Sequence, residues 1–355
     1  MQQHPCVIAR SKVDWSSFPS ELLFLICQKL QHLADFIHFR SVCTSWRLSA
    51  PRSVAPAQLP WLINLRNPDY GACVYSLSSC KFYDVQIPQN VKKKQLVGPG
   101  QTYVLARDCT NNSLSLFNPI SGEEHPLPPL PAHFRTFHPL LLGPNPHKDG
   151  IILLCSPCPF WGRFITFCQT NGEKWSMLEV ERENYNFTGT ISCAFYNGLY
   201  FVNSQRGAPT YIINADKGQV VSVIEPPPGF PWCDYIVESF GDILRVQVNN
   251  VSGLSFRIYR LDYGGQNARW IEMRSIGDRI LFLGAYFKFC WTGFTLRSCD
   301  VKGSRGNCIY LRTLGICAKD LHSLDLCRYD IEDKRIEFLP CTLQHVDVWF
   351  VPGLH

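Results

Sequence analysis

Cys155 and Cys158 stand in a CxxC arrangement, the spacing in this chain that most readily suggests chemistry. Such a pair is half of a tetrahedral zinc site or a dithiol redox couple. Neither completes itself here, because no second CxxC occurs and Cys155 closes an apolar run, Ile151 to Cys155, of strand length. Core or loop thiols are the expected reading. The ten histidines include no HExxH, and there is neither a GxSxG nucleophile elbow nor a GxxxxGK phosphate loop followed by Ser or Thr. Metalloprotease, serine hydrolase and NTPase chemistry therefore lack their minimum apparatus. Asp330, Glu332 and Asp333 share a polar turn and read as solvated carboxylates. No catalytic residue, metal or cofactor is expected.

The elements that surround these residues are short and numerous. From Trp61 onward, apolar runs of strand length alternate with Gly, Pro, Asn and Ser clusters, and almost no segment after Pro51 has helical period. Ala72 to Leu77 and Cys80 to Val85 have hairpin spacing, and Asn197-Gly198 is a two-residue hairpin turn. Pro126 to Pro131 mark a loop, and Lys92 to Lys94 a solvated turn before the next strand. A longer period lies beneath. An Asn-x-x-x-Gly turn at Asn118 recurs at Asn214, 96 residues on, and a polar turn followed by Trp recurs at Trp175 and Trp270, 95 apart. Half that spacing, about 48 residues, is the length of a four-stranded kelch-like propeller blade, and residues 60–355 hold about six of them. The fold class is thus mainly β, with a pair of sandwiches as the alternative that similar strands allow.

Composition bounds the partners. The chain has 355 residues, 46% of them hydrophobic and only 18% charged, with a net charge of +5. No basic stripe with interleaved aromatics is present, so nucleic acid is not an expected partner. The most apolar window, Ile280 to Leu296, contains Lys288 and two glycines and reads as strand, turn, strand instead of a membrane span. The first residues lack the apolar segment of a secretory signal. An intracellular protein of the nucleus or cytoplasm is expected, with its 17 cysteines reduced and the sequons at Asn111, Asn186 and Asn250 unused.

Residues 15–47 differ from everything after them. Pro19 sits where a helix begins, Glu21 lies near the positive end of its dipole, and Leu22, Leu23, Ile26 and Leu30 fall along one stripe. His32 and Leu33 make a turn, and Asp35 is the expected N-cap of a second piece carrying Phe36, Phe39, Val42 and Cys43. Thr44 or Ser45 caps a third turn holding Trp46, stopped by Pro51. So few residues cannot enclose a core by themselves, which means some of these apolar groups are to be shared.

This pattern, Phe18-Pro19, Leu22-Leu23, Ile26, Leu30 and Val42-Cys43-x-x-Trp46-Arg47, resembles an F-box. The resemblance implies docking on the SKP adaptor of a cullin–RING ubiquitin ligase. Pro19, Leu22, Leu23, Ile26 and Leu30 would fill the adaptor surface, and Phe39, Val42, Cys43 and Trp46 would complete the contact and hold the helices together. The segments Leu116-Phe-Asn-Pro-Ile-Ser-Gly, Phe195-Tyr-Asn-Gly-Leu-Tyr, Ser275-Ile-Gly-Asp-Arg-Ile-Leu-Phe, Tyr329-Asp-Ile-Glu-Asp-Lys-Arg-Ile and Trp349-Phe-Val-Pro are similar, in order, to plant F-box proteins with a KIB-type, or SKIP-like, β-propeller. The organisation this implies is an all-α F-box of three helices at residues 12–52, a linker at 53–59 and a propeller at 60–355. Its implied role is the substrate receptor of an SCF-type ligase, whose propeller binds an unidentified protein target. A non-ligase scaffold that binds the adaptor or a partner without ubiquitin transfer, and an enzyme built in the central channel, remain open beside it. Phe160, Trp161, Phe230 and Trp232, in Pro-rich loops, are candidate contact anchors or packing between blades.

Overall fold

The computed structural model describes residues 14–56, 58–64, 72–85, 94–98, 103–108, 110–111, 113–130, 138–142, 151–155, 163–169, 173–180, 191–203, 207–214, 217, 219–249, 253–263, 268–286, 290–301, 304–312, 326–340 and 347–352. The chain divides into two compact units, one reaching Gln58 and one running from Leu59 to Gly353.

The first unit holds three short helices, α1 (Ser20–Cys27), α2 (Leu33–Ser41) and α3 (Thr44–Ser49). Pro19 is the residue just before α1 and not its first residue; it donates no N–H, so none is left unpaired there. The expected caps of the other two helices are corrected. The extended residue before α2 is His32, and Asp35 lies inside the first turn, where its charge complements the dipole instead of capping. The residue before α3 is the extended Cys43, with Thr44 and Ser45 already helical. Leu23, Cys27, Leu33, Phe36, Phe39 and Ala50 are buried in this unit.

The second unit is built of strands, most of them in groups of four, with a 3-10 turn at Ser298–Asp300. β1 (Trp61–Asn64), β2 (Ala72–Ser76) and β3 (Lys81–Val85) open it, followed by β4 (Lys94–Gly98), β5 (Val104–Asp108), β6 (Leu114–Phe117) and β7 (Glu124–Pro126). Next come β8 (His138–Leu142), β9 (Ile151–Cys155), β10 (Arg163–Gln169) and β11 (Ser176–Val180), then β12 (Ile191–Tyr196), β13 (Leu199–Asn203), β14 (Thr210–Asn214) and β15 (Gln219–Ile224). The fifth group is β16 (Cys233–Ser239), β17 (Asp242–Asn249), β18 (Ser255–Asp262) and β19 (Arg269–Met273). Each of these groups is antiparallel in chain order, as propeller blades are. The last strand, β25 (Asp347–Phe350), pairs antiparallel with β1 and so completes the first blade with the chain's far end. Closure of this kind removes the two free edges an open ring would expose.

The sixth blade departs from the pattern. β20 (Arg279–Tyr286) and β21 (Cys290–Arg297) form a hairpin in which β20 pairs in parallel with β22 (Cys308–Arg312), followed by β23 (Leu326–Asp330) and β24 (Ile336–Leu339). β21 in turn pairs in parallel with β12 through Ile191 with Cys290 and Ser192 with Trp291. Two blades are thereby fused into one nine-stranded sheet, and main chain crosses between them. β21 also presses on β16. Trp291 packs against Tyr235 at 5.6 Å between ring centroids, and a Cβ at Gly293 would lie 2.7 Å from Leu283 and 2.8 Å from Val237. Only glycine fits that crossing.

The long period has its explanation here. Asn118 follows β6 and Asn214 ends β14, each the third strand of its blade, two blades apart. Their side chains do the same work, Asn118 Oδ1 accepting from the N–H of Ile120 and Asn214 Oδ1 from that of Lys217. Trp175 precedes the fourth strand of the third blade and Trp270 lies in the fourth strand of the fifth. Other expectations are corrected. Lys94 belongs to β4 and pairs with Glu124 across the blade, so it is not part of a solvated turn. Pro126 ends the strand β7 instead of beginning a loop.

Between the fourth and fifth blades lies a buried ionic clamp. Arg245 and Asp234 are both fully enclosed, with Arg245 Nε and Nη2 donating to Asp234 Oδ1 and Oδ2 at 2.9 and 2.6 Å. The same guanidinium donates to the Ala208 carbonyl at 2.9 Å and to Thr210 Oγ1 at 3.3 Å, while Asp234 Oδ2 accepts the Gly207 N–H at 3.0 Å. A planar fork makes four bonds at once, which a lysine cannot do.

Candidate functional site

Helix α1 reads Ser-Glu-Leu-Leu-Phe-Leu-Ile-Cys, with six consecutive apolar residues. An amphipathic helix needs one apolar stripe, whereas a helix apolar nearly all round needs partners on two sides. The structure satisfies one of them. Leu23 and Cys27, four apart, turn inward and are fully buried, and the Cys27 thiol donates to the Phe24 carbonyl at 3.1 Å. Burial pushes that thiol up from its ordinary pKa, against a smaller opposing pull from Arg40.

The other face is left open. Leu22 and Ile26, again four apart, remain 45% and 42% exposed, and Leu25 lies between them, more exposed still. Leu25 and Phe24 also line an open groove of about 550 Å³ with Ser20, Glu21, Leu48, Ser49 and Pro51. Among the described residues of this unit, Leu48 on α3 is the most exposed large hydrophobic side chain. Val42 and Trp15 add further exposed apolar surface.

What holds this surface in place is a set of polar ties between helices. Arg40 Nη1 on α2 donates to the Arg47 carbonyl at 3.2 Å and to the Ala50 carbonyl, and Arg47 Nε returns a bond to the Arg40 carbonyl at 3.2 Å. Burial, then the neighbouring Arg52 and Arg47, pull the Arg40 pKa down from its ordinary value. Phe39 and Trp46 meet at 4.5 Å between ring centroids, and the Trp46 indole N–H donates to the Trp15 carbonyl at 2.9 Å. Gln58 Nε2 donates to the Gln31 carbonyl at 2.8 Å.

The nine expected contact residues thus separate. Pro19, Leu22, Ile26 and Val42 are at the surface; Leu30, Cys43 and Trp46 are half-buried; Leu23 and Phe39 are inside. Leu23 cannot touch a second chain without opening the unit, so its expected place on the docking surface is corrected to a supporting one. Leu25 and Leu48 were missed. Leu25 was legible, since it lies three residues beyond Leu22 in an unbroken apolar run, whereas Leu48 follows from the packing of α3 and has no such signal.

Of the candidate anchors in the second unit, Phe230 is 81% exposed and Trp232 packs against the core cluster around Tyr235 and Val246. Phe160, Trp161 and Cys158 lie outside the described residues. Among the described residues, no group of three or more His, Cys, Asp or Glu is placed to hold a metal. Ten of the described cysteines, among them Cys27, Cys168, Cys233 and Cys308, are free thiols. No helix of the described residues is long and apolar enough to cross a membrane.

Blades closed by the chain's last strand, preceded by a separate unit of three short helices with an exposed apolar face, define the class as a β-propeller protein with an N-terminal helical unit. Within that class the chain belongs to the KIB1-4 beta-propeller family, whose model matches residues 74–331. An F-box/kelch-repeat protein of Arabidopsis thaliana is 24% identical over 318 residues, 77% of this chain and 76% of that one. The Arabidopsis F-box protein SKIP23 is 44% identical over 72 residues, 20% of this chain and 16% of its own. Among solved structures, TolB from Acinetobacter baumannii aligns over 83% of this chain and 67% of that one, at 11% identity and a TM-score of 0.47. The likeness to plant F-box proteins with KIB-type propellers, read from the ordered segments, is borne out.

Proposed function

We propose that this chain is the target-receiving subunit of an SCF-type ubiquitin ligase. Residues 12–52 act as the F-box on a SKP-type adaptor, 53–59 as the linker, and 60–355 as the propeller that holds a protein target for ubiquitination and degradation. The observation that carries this reading is the open face of α1, where Leu22, Leu25 and Ile26 stand out of a unit whose own core is already filled by Leu23 and Cys27. The F-box names of the relatives support it. Pro19, Leu22, Leu25, Ile26, Val42 and Leu48 form the contact; Leu23 and Phe39 stiffen it from within, with Leu30, Cys43 and Trp46 at its margin.

The chain itself makes and breaks no bond. It acts by proximity, converting a bimolecular encounter between a target lysine and a loaded conjugating enzyme into one at high effective concentration. Such a subunit works in the nucleus or cytoplasm, where adaptor, cullin and RING subunit reside. The test is assembly of purified full chain with a purified SKP-type adaptor. Co-elution as a one-to-one complex at micromolar concentration is expected, and separate elution contradicts the reading.

A further inference from the structure

Two hairpin turns of the propeller differ in one residue type. Asn197-Gly198, between β12 and β13, has φ of 50° and 75°, the doubly left-handed turn in which Asn-Gly is the favoured pair. Phe240-Gly241, between β16 and β17, has φ of 51° and 89°, the same turn with a bulky aromatic at the position where Asn is favoured. The turn backbone does not call for that phenyl ring, which remains 44% exposed.

The ring has unusual company. The Arg297 guanidinium lies over it at 4.5 Å from the centroid, and Tyr196, exposed to a similar degree, brings its hydroxyl to 3.2 Å from where a Cβ of Gly241 would stand. Arg297 is the direct cross-strand partner of Arg279, so two like charges sit opposite each other, an arrangement that destabilises a sheet. Arg279 Nη2 is met by Asp242 Oδ2 at 2.5 Å, yet its Nη1 is buried with no hydrogen-bond partner. Asp242 is shared with Arg260, whose Nη1 is 4.0 Å away. Glu238 is engaged by the Gly241 N–H at 2.8 Å. Asp242 thus serves Arg279 and Arg260, while Arg297 has no carboxylate at ion-pair distance among the described residues.

We infer that Tyr196, Phe240 and Arg297 form the propeller's recognition surface for an acidic peptide segment of the target, a carboxylate pairing with the exposed Arg297, whose charge faces that of Arg279, and an apolar neighbour resting on Phe240. Unmatched cations call for an anion, and exposed aromatics beside arginine have the composition of interface anchors. The inference rests on the receptor reading above and names where the target binds.

The experiment uses purified full chain and a fluorescent array of 15-residue peptides rich in Asp and Glu with interspersed Leu, each paired with its Asn/Gln counterpart and with a phosphoserine version. The acidic peptides bind and their amide counterparts do not. Phe240→Asn converts the turn to the Asn-Gly form, preserves the fold and weakens acidic-peptide binding by about tenfold or more, and Arg297→Gln does the same. Equal binding of amide peptides, binding of phosphopeptides alone, or undiminished acidic binding by both variants overturns the inference. Adaptor co-elution measured on the same variants keeps the two readings apart: it persists in both if only this inference fails, and is absent from the unaltered chain if the receptor reading fails.

Discussion

Changing Leu22 and Ile26 together to Asp removes adaptor binding, by about a hundredfold or more, without unfolding either unit. Both side chains are close to half exposed in the free chain, so completing their burial on a partner contributes roughly 1 kcal/mol each. Placing a carboxylate in the same apolar contact instead costs several kcal/mol, because the charge is desolvated with no partner. Within the free helix the change costs only the modest helix propensity of Asp, about 0.5 kcal/mol per site. Leu23→Ala is the informative contrast. That residue is fully enclosed, and truncating it costs about 2–5 kcal/mol through lost burial and a cavity. In so small a unit that is enough to melt the helices. Hydrogen exchange over residues 20–49 separates the two outcomes: unchanged protection with lost binding for the Asp pair, and lost protection for Leu23→Ala. If Leu22→Asp with Ile26→Asp still binds the adaptor at the original affinity, the exposed face of α1 is not the contact.

The second large effect lies in the ionic clamp. Asp234→Ala leaves the Arg245 guanidinium buried without its carboxylate and the Gly207 N–H without its acceptor, a loss of about 3–5 kcal/mol. Arg245→Lys is also poorly tolerated, since an ammonium cannot reach Asp234, Ala208 and Thr210 together. Replacing both ions by Leu and Met restores part of the stability, because no charge is then stranded, although Gly207 and Ala208 stay unpaired. Urea unfolding of the full chain measures the three variants. A change below about 1 kcal/mol for Asp234→Ala would mean that water reaches the pair.

Local chemistry made much of this architecture legible. The 48-residue blade length came from Asn118, Asn214, Trp175 and Trp270 because a blade repeats its turn chemistry at a fixed place, and the structure puts each pair at equivalent positions two blades apart. Two of the strands that escaped notice have physical reasons for it. β7 is Glu124, His125 and Pro126 at the edge of its blade, where a missing N–H is tolerated, and β4 begins at the third of three lysines. The parallel pairings of β12 with β21 and of β20 with β22 leave no trace in alternation, since side-chain period fixes which face is buried and not which neighbour a strand takes. In the helical unit the apolar residues were found, but their division between inside and outside was not. Leu22 and Leu23 are adjacent and of one type, and only the angle of about 100° per residue, fixed against α3, sends one outward and the other in. The clamp had a signal that went unread: Arg245 and Gln247 alternate with Leu244, Val246 and Val248 in an otherwise apolar strand, and both are buried.

Hydroxyl-radical footprinting of the full chain, with and without a purified SKP-type adaptor, tests the docking face most directly. Oxidation of Leu22, Leu25, Ile26 and Leu48 falls sharply when the adaptor is added, while Leu23 stays unreactive in both states. Undiminished oxidation of those four side chains in the presence of saturating adaptor contradicts the account.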